Sequence, residues 1–230
     1  MKRLLLAGVA SFAFAASPAL AADIPARMPA KAPAYVPLAY NWSGWYLGIQ
    51  GGYGFGDSRW TDTATGLSTG RFNVDGALLG GTLGVNWQTG NWVLGLEGDG
   101  SWSNIRGSTT TNCVPNCQTR NNWLATVRGR VGHAFGSVLP YITGGAAFGD
   151  IEAVGGGGTQ SSTEVGWTAG AGIEWALAGP WTAKVEYLYA DLGKMSCSAA
   201  VCTGVAGPTD VRLDTSIVRA GINYRFGPTR

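Results

Sequence analysis

The chain has 230 residues, with 37 glycines, 10 tryptophans, only 13% charged residues and a formal net charge of +2. This composition lacks the charge density of an ordinary soluble enzyme and the polarity of a disordered chain. It suits strands that pack closely and turn one face to apolar surroundings.

At the N-terminus, Lys2 and Arg3 precede an apolar run from Leu4 to Ala16, and Ala19-Leu20-Ala21 has the small-x-small form of a secretory cleavage site. Residues 1–21 therefore read as a signal peptide, the apolar run being shorter than the ~20 residues of a spanning helix. Without Lys2 and Arg3 the basic count falls from 16 to 14 and equals the 14 acidic residues, so the mature chain is neutral. Neutrality removes the electrostatic case for nucleic acid as a partner. Residues 22–43 form a Pro/Ala-rich arm, where Pro25, Pro29, Pro33 and Pro37 recur at even spacing and favour extended backbone.

From Trp45 a two-residue period begins and restarts repeatedly. In residues 44–55, Trp45, Leu47, Ile49, Tyr53 and Phe55 alternate with Tyr46, Gln50 and glycines. Residues 77–88 set Ala77, Leu79, Leu83, Val85 and Trp87 against Thr82, Asn86 and Gln88. Residues 92–102 set Trp92, Leu94, Leu96 and Trp102 against Glu97, Asp99 and Ser101. The fourth segment, 123–135, sets Trp123, Val127, Val131 and Phe135 against Arg128 and Arg130. The fifth, 138–151, alternates weakly and its facing is open. The last three set Trp167, Ile173 and Trp175 against Glu174; Trp181, Val185, Tyr187 and Tyr189 against Lys184 and Glu186; and Val218, Ile222, Tyr224 and Phe226 against Arg219, Asn223 and Arg225.

Connections after the second, fourth and sixth segments are tight, while those after the first, third, fifth and seventh are long and polar. Short turns at one end and long loops at the other predict an eight-stranded antiparallel transmembrane β-barrel over residues 44–227, with 228–230 as a C-terminal extension. An even strand number puts both termini on the short-turn side, the periplasm. In hydrocarbon only a closed barrel satisfies strand backbones, and closure separates lipid-facing from lumen-facing residues. The expected lumen network is Arg128, Arg130, Lys184, Arg219 and Arg225 with Glu97, Asp99, Glu174 and Glu186, a nearly balanced set able to pair internally and fill a narrow tube. Trp45, Tyr53, Trp87, Trp92, Trp102, Trp123, Phe135, Trp167, Trp175, Trp181, Tyr189, Tyr224 and Phe226 are the expected aromatic girdles, at the headgroup level of the lipid. A soluble sandwich or lipocalin would turn the apolar face inward and would not gather these charges on the other face.

Cys113 and Cys117 form C-x3-C, and Cys197 and Cys202 form C-x4-C, all in loop sequence. Export favours disulfides, with three connectivities open. Neither spacing matches the C-x2-C of common zinc sites, and the single histidine, His133, lies in a strand pattern, so neither metal nor cofactor is expected. One histidine without a nearby Ser/His/Asp set also leaves acid-base catalysis without its usual groups.

The motifs GWYLGIQGGY (44–53), GGTLGVNWQ (80–88), VLGLEGD (93–99), VRGRVGHAF (127–135), PYITGGAA (140–147), GWTAGAGIE (166–174), VEYLYADLG (185–193) and VRAGINYRF (218–226) together resemble the outer-membrane immunogenic or opacity-type β-barrel proteins of alphaproteobacteria. The resemblance implies a surface protein, embedded in outer-membrane lipid and lipopolysaccharide, that supports envelope integrity and meets host or environmental ligands through its loops. It also implies assembly by the barrel-assembly machinery, which is expected to read a terminal aromatic matching Phe226; here Gly227 to Arg230 follow. Haem binding is attributed to some relatives, and His133 is the residue to weigh for it. By parity His133 faces lipid near a periplasmic turn. The alternative function is a small porin passing ions or small solutes, which needs a continuous water path past the lumen charges.

Overall fold

The computed structural model describes residues 40–113, 116–198, 200–202 and 209–227. The expected signal peptide, most of the expected arm and residues 228–230 lie outside them. Eight strands follow one another: β1 (Gly44–Asp62), β2 (Ser68–Thr89), β3 (Trp92–Thr109), β4 (Cys117–His133), β5 (Val138–Gly155), β6 (Gly158–Ala176), β7 (Trp181–Cys197) and β8 (Thr209–Phe226). Each pairs antiparallel with its neighbour in sequence, and β1 also pairs with β8, so the sheet closes into a barrel.

The two-residue period produces two faces with opposite chemistry. Over the half nearer the short turns the outward side chains are apolar: Ile49 is 70% and Leu79 66% exposed, while the intervening Gln50 and Thr82 are buried. The fifth segment, whose facing the sequence leaves open, turns Leu139, Tyr141, Thr143 and Ala147 inward and Ile142 outward.

The strands run further than expected. Predicted long loops after the odd-numbered strands shrink to 63–67, 110–116, 156–157 and, longest, 198–208. The reason is a reversal of polarity along the strands. Beyond Phe55 the outward residues of β1 are Asp57 and Arg59 while Ser58 and Trp60 turn inward; on β2 Arg71, Asn73 and Asp75 point out and Phe72 and Val74 in; on β8 Arg212 and Asp214 point out and Val211, Leu213 and Ile217 in. Across this boundary the period of two holds on these strands, but the apolar side changes from outward to inward. A search for an apolar outer face ends at this boundary and reads the rest as loop.

Two apolar clusters result. The larger fills the interior at the far end with Trp60, Phe72, Ile105, Ile151, Met195 and Leu213 among others. Trp60 is fully buried and its indole N–H donates to Thr119 Oγ1 at 2.9 Å, so its one side-chain polar group is paired. The smaller cluster joins Trp42, Val93, Ala134 and Leu139 at the short-turn end. The turns there are tight, and Gly90 and Gly136 hold φ of +60° and +61°, a conformation a Cβ would strain.

Candidate functional site: the charged lumen and its aromatic rims

The interior of the apolar-walled half is built from one or two charged side chains on each of five strands. Glu97 and Asp99 come from β3, Arg128 and Arg130 from β4, Glu174 from β6, Lys184 and Glu186 from β7, and Arg219 from β8; all eight are buried. Alternation places each inward, and the many glycines beside them leave room for long side chains. A Cβ on Gly84, for instance, would stand 2.3 Å from the Tyr46 ring, and one on Gly95 2.9 Å from the stem of Arg130.

Glu97 is the hub. It accepts from Lys184 Nζ at 2.9 Å, from the Tyr46 hydroxyl at 2.7 Å and from Arg128, and Arg130 stands 3.6 Å away. Arg128 continues to Asp99 at 2.9 Å and Glu186 at 3.0 Å, and Arg219 joins the same two carboxylates from the opposite wall at 2.8 and 2.7 Å. Arg130 bonds Glu174 at 2.7 Å and lies over the ring of Tyr141, 4.0 Å from its centroid. Thr182 and Asn223 complete Glu174 at 2.6 and 3.1 Å, and the Tyr141 hydroxyl donates to Glu186 at 2.9 Å.

Eight of the nine expected lumen charges thus meet. Arg225 does not. It donates to the carbonyl oxygens of Asn41 and Ser43 at 2.8 and 2.9 Å and lies against the rings of Tyr40 and Trp42. Its height explains this: Arg225 pairs with Tyr46 at the end of the barrel, three inward positions past Arg219 and one past Asn223. Without it the cluster has four cations and four carboxylates, an exact charge balance where five against four is expected from sequence. Trp42, fully buried, donates its backbone N–H to Gln88 Oε1 at 2.6 Å and its indole N–H to the carbonyl oxygen of Gly136 at 3.2 Å.

Sequence reasoning passes over Tyr46, Tyr141, Thr126, Thr182 and Asn223 as cluster members. Parity identifies Tyr46 and Asn223 as inward, but only the resolved facing of β5 could find Tyr141. The expected girdle residues all point outward. Trp45, Trp87, Trp92, Trp175, Trp181, Tyr224 and Phe226, with Phe135, ring the short-turn rim; Tyr53, Trp102, Trp123, Trp167 and Tyr189 ring the other, Trp102 standing opposite Trp123. His133 also points outward, between Trp92 and Phe135 at ring distances of 5.2 and 4.6 Å. The cysteines pair as Cys113–Cys117 and Cys197–Cys202, and all four are buried in the large apolar cluster.

An apolar outer wall of this extent has no place in water, and a closed ring leaves no strand edge unpaired in hydrocarbon. The fold is that of a transmembrane β-barrel of the bacterial outer membrane. The family model for the outer membrane protein β-barrel domain matches residues 7–226, and the chain belongs to that family. It is 34% identical to the 31 kDa outer-membrane immunogenic protein of Brucella melitensis biotype 1, over 98% of this chain and 100% of that protein. It is 32% identical to a 22 kDa outer membrane protein of Rhizobium leguminosarum bv. viciae, over 83% and 81% of the two chains. Among solved structures, the outer membrane protease OmpT from Escherichia coli aligns over 82% of this chain and 99% of that one, with a TM-score of 0.50 at 9% identity, a likeness of fold alone. The protein is accordingly an outer-membrane protein in a lipid environment, akin to alphaproteobacterial immunogenic surface proteins.

Proposed function

We propose that this protein is a closed structural barrel that supports the envelope and presents its strand extensions and connections to the outside, without enzymatic or transport activity. Both termini lie in the periplasm, and the partners are outer-membrane lipid and lipopolysaccharide, the barrel-assembly machinery during insertion, and surface ligands at the far end. The observation that carries the reading is the filling of the interior along its length. Trp42 stands across the short-turn mouth, the balanced charge cluster occupies the middle, and the apolar cluster with both disulfides occupies the far end. An ion would have to break paired charges and then cross a dry apolar segment.

The small-porin reading requires a continuous water path through these layers. Planar-bilayer recording of the refolded protein tests it: no stable conductance steps are expected, and discrete, long-lived steps would overturn the proposal in favour of a pore. His133 has aromatic neighbours on the lipid side, which supports a rim role over haem ligation.

A further inference from the structure

Just beyond the apolar belt, the register sets Arg71 of β2 directly opposite Arg59 of β1, and Arg59 directly opposite Arg212 of β8. Three guanidinium groups stand in one row across three neighbouring strands, on the outward face. Like charges in directly opposed positions repel and need an anion to offset them. Arg212 has its own, bonding Asp191 at 2.6 Å and Asp214 at 3.3 Å. Arg59 and Arg71 are exposed and, among the described residues, lie in no ion pair. The three arginines and Tyr189 line a polar cup of about 190 Å³, shared with Asp57 and Asp214 one register step nearer the belt. Asp191 and Asp214 already hold Arg212, which leaves Arg59 and Arg71 facing Asp57 among the lining residues of the cup, an excess of one cation.

The position of the cup bears on its ligand. Tyr189 is both a rim residue and part of the cup wall. Arg59 lies four residues past Phe55, the last apolar outward residue of β1, which is ~13 Å along the strand and ~10 Å in height at a tilt of about 40°. Long arginine stems lean back over apolar surface and bring their heads down into the headgroup layer. Guanidinium forks match phosphate oxygens two at a time. We infer that the cup holds the phosphate of a phosphorylated glycolipid headgroup in the outer leaflet. A lipid source is favoured over free phosphate because Asp57 opposes a free dianion, whereas an anchored headgroup is held at high local concentration. The inference rests on the orientation proposed above, with the 63–67 connection outside.

The test is titration of the full mature protein, disulfides intact, in phosphatidylcholine nanodiscs with bis-phosphorylated lipid A, read by native mass spectrometry. Arg59→Gln and Arg71→Gln should each weaken binding about tenfold, the loss of one charge-assisted contact. Asp57→Asn should tighten it, a sign that a merely structural role would not produce. Dephosphorylated lipid A should bind the wild type as weakly as lipid A binds the double arginine variant, and inorganic phosphate should not compete. Equal binding by wild type and the double variant, weakening by Asp57→Asn, or competition by inorganic phosphate would each overturn the inference. Nanodiscs expose both faces, so a reversed orientation in cells, found by surface labelling, would remove the outer leaflet as source while leaving the phosphate contrast readable.

Discussion

Arg130→Ala offers the sharpest test of the lumen. The side chain is buried, its Nη2 donates to Glu174 at 2.7 Å, its Nη1 donates to the Tyr46 hydroxyl at 3.1 Å, and Glu97 lies at 3.6 Å. Its removal leaves Glu174, fully buried, with hydrogen bonds from Thr182 and Asn223 but, among the described residues, no direct ion pair. Breaking a buried pair from one side costs about 3 to 5 kcal/mol. With a urea m-value of about 2 kcal/mol/M, the midpoint of unfolding from lipid vesicles should fall by ~2 M. A second change, Glu174→Gln, should recover part of that loss, because it removes the stranded charge. The double-mutant cycle should give its largest coupling with Glu174, a smaller one with Glu97 and the smallest with Glu186, which Arg130 does not contact. On the other face of the same strand, Val131→Arg should cost up to about 2 to 4 kcal/mol, depending on its depth in the lipid. If Arg130→Ala and Val131→Arg are both neutral, the division into inside and outside is wrong. If Glu186 shows the largest coupling, the register across the lumen is wrong.

For topology, Ala64→Cys at the exposed 63–67 connection should be labelled by a membrane-impermeant reagent on intact cells, and Ala178→Cys in a short turn should not; equal labelling would refute the orientation. The native cysteines cannot serve, since all four are bridged and buried. At the same end, the backbone N–H groups of Thr65 and Ala64 bond Asp62 and hold its carboxyl below the ordinary value. A depressed folded value means this stabilisation is present above the unfolded value of about 3.9 and is lost as pH falls through the folded one. An NMR titration of Asp62 with its midpoint at or above the ordinary range would contradict the turn. In the far interior, Ile217→Asp should destabilise strongly, by burying a carboxylate among Ile105, Leu213 and their neighbours; a neutral result in urea unfolding would mean that this end is wet.

The period of two is a local property of extended backbone, so residues such as Arg128, Arg130, Glu174 and Glu186 declare their face by parity alone. The outward aromatics do the same, and the spacing of turns is enough to count the strands. Which charges meet is another matter. Arg219 reaches Asp99 from 120 residues away, and that meeting depends on strand tilt and on the stagger with which the ring closes. The same closure drops Arg225 below the cluster and onto the carbonyls of Asn41 and Ser43, although its parity and charge match Arg219. Weak alternation hides the facing of Tyr141 until neighbouring strands pin the register of β5. Arg59 and Trp60 show the remaining limit most plainly. Sequence reads them as loop because the apolar residue sits on the side that lower in the strand is polar. Only the folded barrel, rising out of lipid into water, reverses which side an apolar residue must take.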